Sequence, residues 1–130
     1  MRKTAAFFAL TGIVAALSLP AAAQDATFDP SGTFVDEWGT TFTFSLCGSG
    51  TDLCGQLDVL QGESATEENL QYVGTQVMQA QQTAPNTWQG KLDAGDLSAE
   101  AKVVQTGPDT IDIEGCRGGL LCQTLTYQRQ

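Results

Sequence analysis

The chain has 130 residues, 15 of them acidic, 6 basic and none histidine, for a net charge of −9 at pH 7. That balance repels phosphate backbones and anionic lipid heads, so nucleic acid and membrane surfaces are poor partners. Without imidazole there are no Ser–His or Cys–His nucleophiles and no His-ligated metals, so no catalytic residue, metal or cofactor is expected.

At the start of the chain Arg2 and Lys3 precede an apolar stretch from Ala5 to Leu19, too short and too Ala-rich for a stable membrane span. Ala21, Ala22 and Ala23 then supply a small-residue cleavage site. Residues 1–23 therefore read as a secretory signal peptide and residues 24–130 as a single small domain. Gln24 follows the site, so no lipid-anchored cysteine is expected. Cleavage leaves Lys91, Lys102, Arg117 and Arg129 against all 15 acids, a net charge of −11. The expected product is a periplasmic or secreted protein with no membrane insertion.

Period-two alternation predicts about eight strands. Thr33 to Trp38 puts Phe34, Asp36 and Trp38 on one face, and Thr41 to Leu46 points Phe42, Phe44 and Leu46 inward. Gly55 to Leu60 points Leu57 and Val59 inward, and Tyr72 to Gln79 makes a fourth strand. Thr87 to Asp93 buries Trp88, Gly90 and Leu92; Leu97 to Gln105 buries Leu97, Ala99, Ala101 and Val103. Asp109 to Glu114 contributes Ile111 and Ile113, and Leu121 to Arg129 contributes Leu121, Leu125 and Tyr127. Gly- and Pro-rich turns such as Gly48-Ser49-Gly50, Pro85-Asn86, Gly107-Pro108-Asp109 and Gly118-Gly119 keep the connections short, which favours antiparallel neighbours. Eight such strands in an open sheet would expose costly edges. The expected fold is all-β, a closed up-and-down β-barrel, with an open sandwich as the alternative. The exception is Gln61 to Leu70, where Ser64 followed by Glu67 matches a capping box and suggests one helical turn.

Four cysteines allow three pairings. Cys47 and Cys54 bracket CGSGTDLC, and Cys116 and Cys122 bracket CRGGLLC. Parity turns all four outward and permits crossed pairings too; only proximity favours the local pairs. Closing such short loops contributes roughly 2–3 kcal/mol each. A four-thiolate zinc site wants tighter spacing and a reducing compartment, and a redox pair wants C-x-x-C, which is absent.

LCGQLDVL (Leu53 to Leu60), Gly74 in LQYVGTQVM, Trp88-Gln89-Gly90 and the closing IDIEGCRGGLLCQTLTYQR together resemble an exported bacterial family, domain of unknown function 2147. The resemblance spans about Gly32 to Arg129 and implies a calycin-like β-barrel. Where that family carries Asp and Asn-Pro signals, this chain has GESATEEN, with only Asn69 matching; its Tyr-Asp-Pro…Gly-Lys-Thr-Tyr hairpin is reduced to LDAGDLSAE. The Gly-x-Trp opening of calycins stands here as Gly32-Thr33-Phe34, and a Trp-x-Arg ending as Tyr127-Gln128-Arg129. The chain thus resembles a divergent member, and the family implies no chemistry.

Asp36 is the one acid that parity sends into the barrel mouth; with no second carboxylate placed beside it, a structural role outweighs a catalytic one. Glu63, Glu67 and Glu68 match no cation loop and read as a solvated acidic surface. Parity, with the adjacent termini that the calycin resemblance implies, puts the Arg129 guanidinium over Phe34 to close one end of the barrel. The bulky inward side chains suggest a filled interior, with Gly74, Gly90, Ala99 and Ala101 offsetting them. On that basis the expected function is non-enzymatic binding of a cationic exported protein through Glu63, Glu67, Glu68 and Asp36. A carrier of a small apolar ligand is the alternative, and a carboxylate hydrolase ranks last.

Overall fold

A computed structural model describes residues 27–118 and 121–130. The signal peptide and cleavage site expected at residues 1–23 lie outside the described residues, as does Gly119 of the expected Gly118-Gly119 turn. Eight strands run in chain order: β1 Gly32–Val35, β2 Thr41–Cys47, β3 Asp52–Val59, β4 Gln76–Ala84, β5 Thr87–Leu92, β6 Ala99–Gly107, β7 Thr110–Arg117 and β8 Leu121–Arg129. Each pairs antiparallel with the next, and β1 returns to β8 through Phe34 opposite Arg129, so the sheet closes as an up-and-down barrel. Closure leaves no edge row of unpaired amides.

The core is an aromatic column. Phe34 meets Phe44 at 5.7 Å between ring centroids, Phe44 meets Phe42 at 5.7 Å, and Phe42 meets Tyr127 edge-on at 5.6 Å. Such offset and edge contacts suit the ring quadrupoles and add to the area each ring buries. Gly55 lies directly opposite Phe44, and a Cβ there would stand 3.1 Å from that ring, so the glycine makes room for the phenylalanine.

Two bulges adjust which residues point inward. Thr41 pairs with Val59 and Phe42 with Leu57, leaving Asp58 as an extra residue. Alternation therefore slips after Leu57: Val59, expected inside, is 38% exposed, and Leu60 is buried instead. On β4 the extra residue is Val77, so Val77 and Met78 are both buried.

Other expectations also need correction. The first strand ends at Val35, because the Asp36 amide turns back to the Thr40 carbonyl at 3.0 Å. Trp38 is consequently exposed on that turn. Leu46 and Leu121 are exposed as well, near the end of β2 and at the start of β8, beyond the reach of the core. The fourth strand begins at Gln76 rather than Tyr72, since a short helix α1 (Glu67–Leu70) and its following turn occupy the residues before it. Gly74 sits in that connection at φ +88° and is exposed, not inward. Leu97 belongs to a 3-10 helix, Gly95–Leu97. The α1 cap is Thr66, whose hydroxyl accepts the Asn69 amide, rather than Ser64.

Cys47–Cys54 and Cys116–Cys122 are disulfide-bonded. The second pair joins residues directly opposite each other on β7 and β8; the first runs diagonally across the β2–β3 hairpin.

The two ends of the barrel differ. At one, residues 27–31 cross the opening as a strap. Arg129 donates from Nη1 to the Ser31 carbonyl at 2.6 Å, and from Nη2 to the Asp29 and Pro108 carbonyls at 2.8 Å each. Its Cζ lies 4.6 Å from the Phe34 centroid. Asp29 accepts the Ser31 amide at 2.9 Å, which holds its carboxyl below the usual range. The buried Gln105 donates from Nε2 to the Asp29 carbonyl at 3.0 Å. The other end carries the β1–β2, β3–β4 and β5–β6 connections, and it is open.

Candidate functional site

A cavity of about 410 Å³ occupies the open end. Its walls are Phe42, Leu57, Val77, Leu92 and Leu125 from the strands, with Leu60 and Leu97 above them and Tyr127 below. The bulky inward side chains thus fill the strapped half of the barrel and leave the other half hollow. Sequence parity sends Leu57, Leu92 and Leu125 inward but gives no measure of the space between them.

Asp36 and Tyr127 are polar groups of the wall, alongside Thr40, Gln61, Glu63, Ser64 and Gln123. Asp36 Oδ1 accepts the Trp38 and Thr40 amides at 2.9 Å each, an Asx-type turn that fixes the carboxylate at the end of β1. Tyr127 is buried, and burial, with the charge of the Asp36 carboxylate, pushes its phenol well above its usual value. Parity placed Asp36 in the mouth, and the structure brings Tyr127 to it.

The rim is tied together by buried groups that sequence reading passed over. Thr40 Oγ1 accepts the Gln61 amide at 3.2 Å, which pins the β1–β2 turn to the end of β3. Asn69 donates from Nδ2 to the Ser64 carbonyl at 3.0 Å and accepts the Asp96 amide at 3.2 Å, linking α1 to the β5–β6 connection. Gly95 allows this approach: at φ +63°, a Cβ would lie 2.9 Å from Asn69 Oδ1. Arg117 donates to the Asp96 carbonyl from outside. The Thr66-x-x-Asn69 spacing was a usable signal for the cap, though not for the clamp.

Glu63, Glu67 and Glu68 are exposed and do not converge on one point of the cavity. Glu63 lines its edge, whereas Glu67 and Glu68 stand in the first turn of α1, where the helix dipole favours acids. Glu114 approaches the Cys116–Cys122 bridge, but both sulfurs are already bonded to each other. At the strapped end a surface groove of about 610 Å³ runs past Thr27, Phe28 and Leu46; Trp88 is anchored beside it by its Nε1 donating to the Thr51 carbonyl at 2.8 Å. No helix among the described residues is long and apolar enough to cross a membrane.

No family model matches this chain, and no curated protein does. A solved structure of a redesigned beta barrel is similar over 81% of this chain and 99% of its own, at a TM-score of 0.54 and 14% identity. That likeness concerns the fold alone.

Proposed function

We propose that the protein is an exported, non-catalytic carrier that holds a small, largely apolar ligand in the open half of its barrel. The observation that carries this reading is the cavity of about 410 Å³, walled largely by aliphatic and aromatic side chains, with Asp36 and Tyr127 among the few polar residues that line it. Ligand sites in small proteins are concave, mostly apolar and about 300–1,000 Å³, with few polar groups. Two disulfides suit an oxidising compartment, in line with the leader expected at residues 1–23. The hollow half-barrel reverses the order of the sequence-based expectations, which rested on a filled interior.

Fluorescence titration with a neutral, environment-sensitive apolar probe tests the proposal. Saturable one-to-one binding, abolished by the cavity-filling substitution Val77→Phe in a variant of unchanged far-ultraviolet dichroism, is the expected result. Binding that Val77→Phe leaves intact places the probe elsewhere and removes the proposal.

A cationic protein partner gripped by Glu63, Glu67 and Glu68 is the second reading. It is favoured by the exposure of all three and by the absence of an ion pair to any of them among the described residues. Capture that is lost at raised ionic strength, and on changing the three glutamates to glutamine, is its test.

A further inference from the structure

We infer that the ligand carries a positively charged ammonium head on its apolar body, and that this head sits against Asp36 under the faces of Phe42, Tyr127 and Trp38. The inference rests on the carrier reading and names the class of molecule carried.

Charge supports it first. The ionisable acids lining the cavity are Asp36 and Glu63, and no lysine or arginine lines it. Every basic residue between 27 and 130 is placed elsewhere. Lys91 and Lys102 are exposed on the outer face of β5 and β6, Arg117 is held at the Asp96 carbonyl, and Arg129 is committed to the strap at the far end. An anionic head such as a carboxylate would enter a site with no counter-charge and two like charges. A cation would meet opposite charge in a partly desolvated setting, where ion pairing is stronger than in water.

The aromatic content supports it independently. Phe42 and Tyr127 form an edge-to-face pair in the lining of the cavity, and Trp38 also lines it while 53% exposed. Ammonium groups are attracted to aromatic faces, and tryptophan is the best of them. A purely apolar ligand would need neither a carboxylate at the wall nor an aromatic residue left half in water.

Asp36 is already oriented for this work. Oδ1 is occupied by two backbone amides, which fixes the carboxylate plane. The group is held by the fold rather than swinging free, so little ordering cost attends ligand binding. The cavity volume of about 410 Å³, about fourteen times that of a water molecule in the liquid, suits a chain of about ten carbons.

The test compares decylamine, decanol and decanoate, matched in chain length, as competitors of the neutral apolar probe at neutral pH and fixed ionic strength. Decylamine is expected to bind about tenfold more tightly than decanol, with decanoate weakest. Asp36→Asn keeps an oxygen to accept the Trp38 and Thr40 amides, and it is expected to bring the amine-to-alcohol ratio close to one. Glu63→Gln, at the solvent edge, is expected to lower that ratio less. If decanol binds but decanoate equals or exceeds decylamine, the ammonium inference fails while the carrier reading stands. If Asp36→Asn leaves the ratio unchanged, the head does not sit at Asp36 and the inference is again overturned. If none of the three displaces the probe, the ammonium inference fails, while the carrier reading stands or falls on the loss of probe binding in Val77→Phe.

Discussion

Arg129 lies over the ring of Phe34, 4.6 Å from Cζ to centroid, and these residues are also direct cross-strand partners where β8 closes on β1. The guanidinium is thereby the rivet of the seam: it caps the aromatic column, holds the strap by the Ser31 and Asp29 carbonyls and ties it to the β6–β7 turn through the Pro108 carbonyl. Charge-assisted hydrogen bonds contribute about 1.5–3 kcal/mol and a cation over an aromatic face about 0.5–2. Arg129→Ala is therefore expected to cost about 2–4 kcal/mol, a fall of roughly 10–20 °C in Tm for a domain of this size. The ion pair with Asp109 adds little, because that carboxylate is 69% exposed. Asp109→Asn should stay within about 0.5 kcal/mol of the parent. Thermal unfolding of both variants checks the contrast; an Arg129→Ala protein that melts with the parent would sink the seam argument.

The two disulfides close short loops and act mainly on the unfolded chain. Replacing both members of either pair by alanine is expected to cost about 2–3 kcal/mol, with the native sheet retained in circular dichroism. Cys54 is 7% exposed and Cys122 is exposed, so the Cys47–Cys54 pair also loses packing and should cost more. Equal costs in chemical denaturation would show that burial at Cys54 contributes nothing.

Strand alternation made much of this barrel legible. Phe42, Phe44, Trp88, Ile111, Val103 and Tyr127 all point inward as their parity requires, because a pleat admits only two faces. Parity failed where an extra residue enters a strand. Nothing in the local sequence marks Asp58 or Val77 as a bulge, yet each resets the faces after it. The open mouth was illegible for another reason. A four-residue helix has too few positions to show a period, and cavity volume is a difference between barrel size and side-chain size that no single residue encodes. Asp36 follows the parity of Phe34 only because the turn begins at it, as the exposure of Trp38 two residues on shows; Asn69 could not be read, because its partner Asp96 lies 27 residues away.

Gly90 faces Ala80 across the β4–β5 ladder, and a Cβ at Gly90 would collide with the Gln79 carbonyl and the Ala80 backbone. These are main-chain atoms of a paired strand, so they cannot swing aside. Gly90→Ala should cost about 1–3 kcal/mol through displacement of β4 from β5. Gly107 is the control: a Cβ there meets nothing within 4 Å, so Gly107→Ala should be neutral or slightly stabilising. Denaturation midpoints of the two variants should move apart, and a neutral Gly90→Ala would mean that the strands separate more easily than the pairing implies.

Asn69 clamps the rim from a site only 2% exposed. Asn69→Ala leaves the Asp96 amide and the Ser64 carbonyl without their partner, a loss of about 1–3 kcal/mol. The damage should be local. Hydrogen exchange is expected to quicken in residues 61–75 and 93–98 while β7 and β8 keep their protection. Uniform acceleration across all eight strands would instead make Asn69 part of the global core.

Tyr127 gives the fold a limit at high pH. Its phenol is raised above the ordinary value of 10.0, first by burial and then by the charge of Asp36. A group whose folded pKa exceeds its unfolded one binds its proton more tightly in the native state. Its stabilisation is complete below pH 10, and above that value stability falls as the unfolded chain alone ionises. The parent should therefore lose Tm progressively above pH 10 through this residue. Tyr127→Phe keeps the ring against Phe42 but removes the titrating proton. It is expected to show a shallower decline in alkali. Melting curves of both proteins from neutral pH to above pH 10 measure the difference. Parallel declines would show that Tyr127 ionises as freely in the barrel as in the unfolded chain, and that the Asp36 carboxylate does not bear on it.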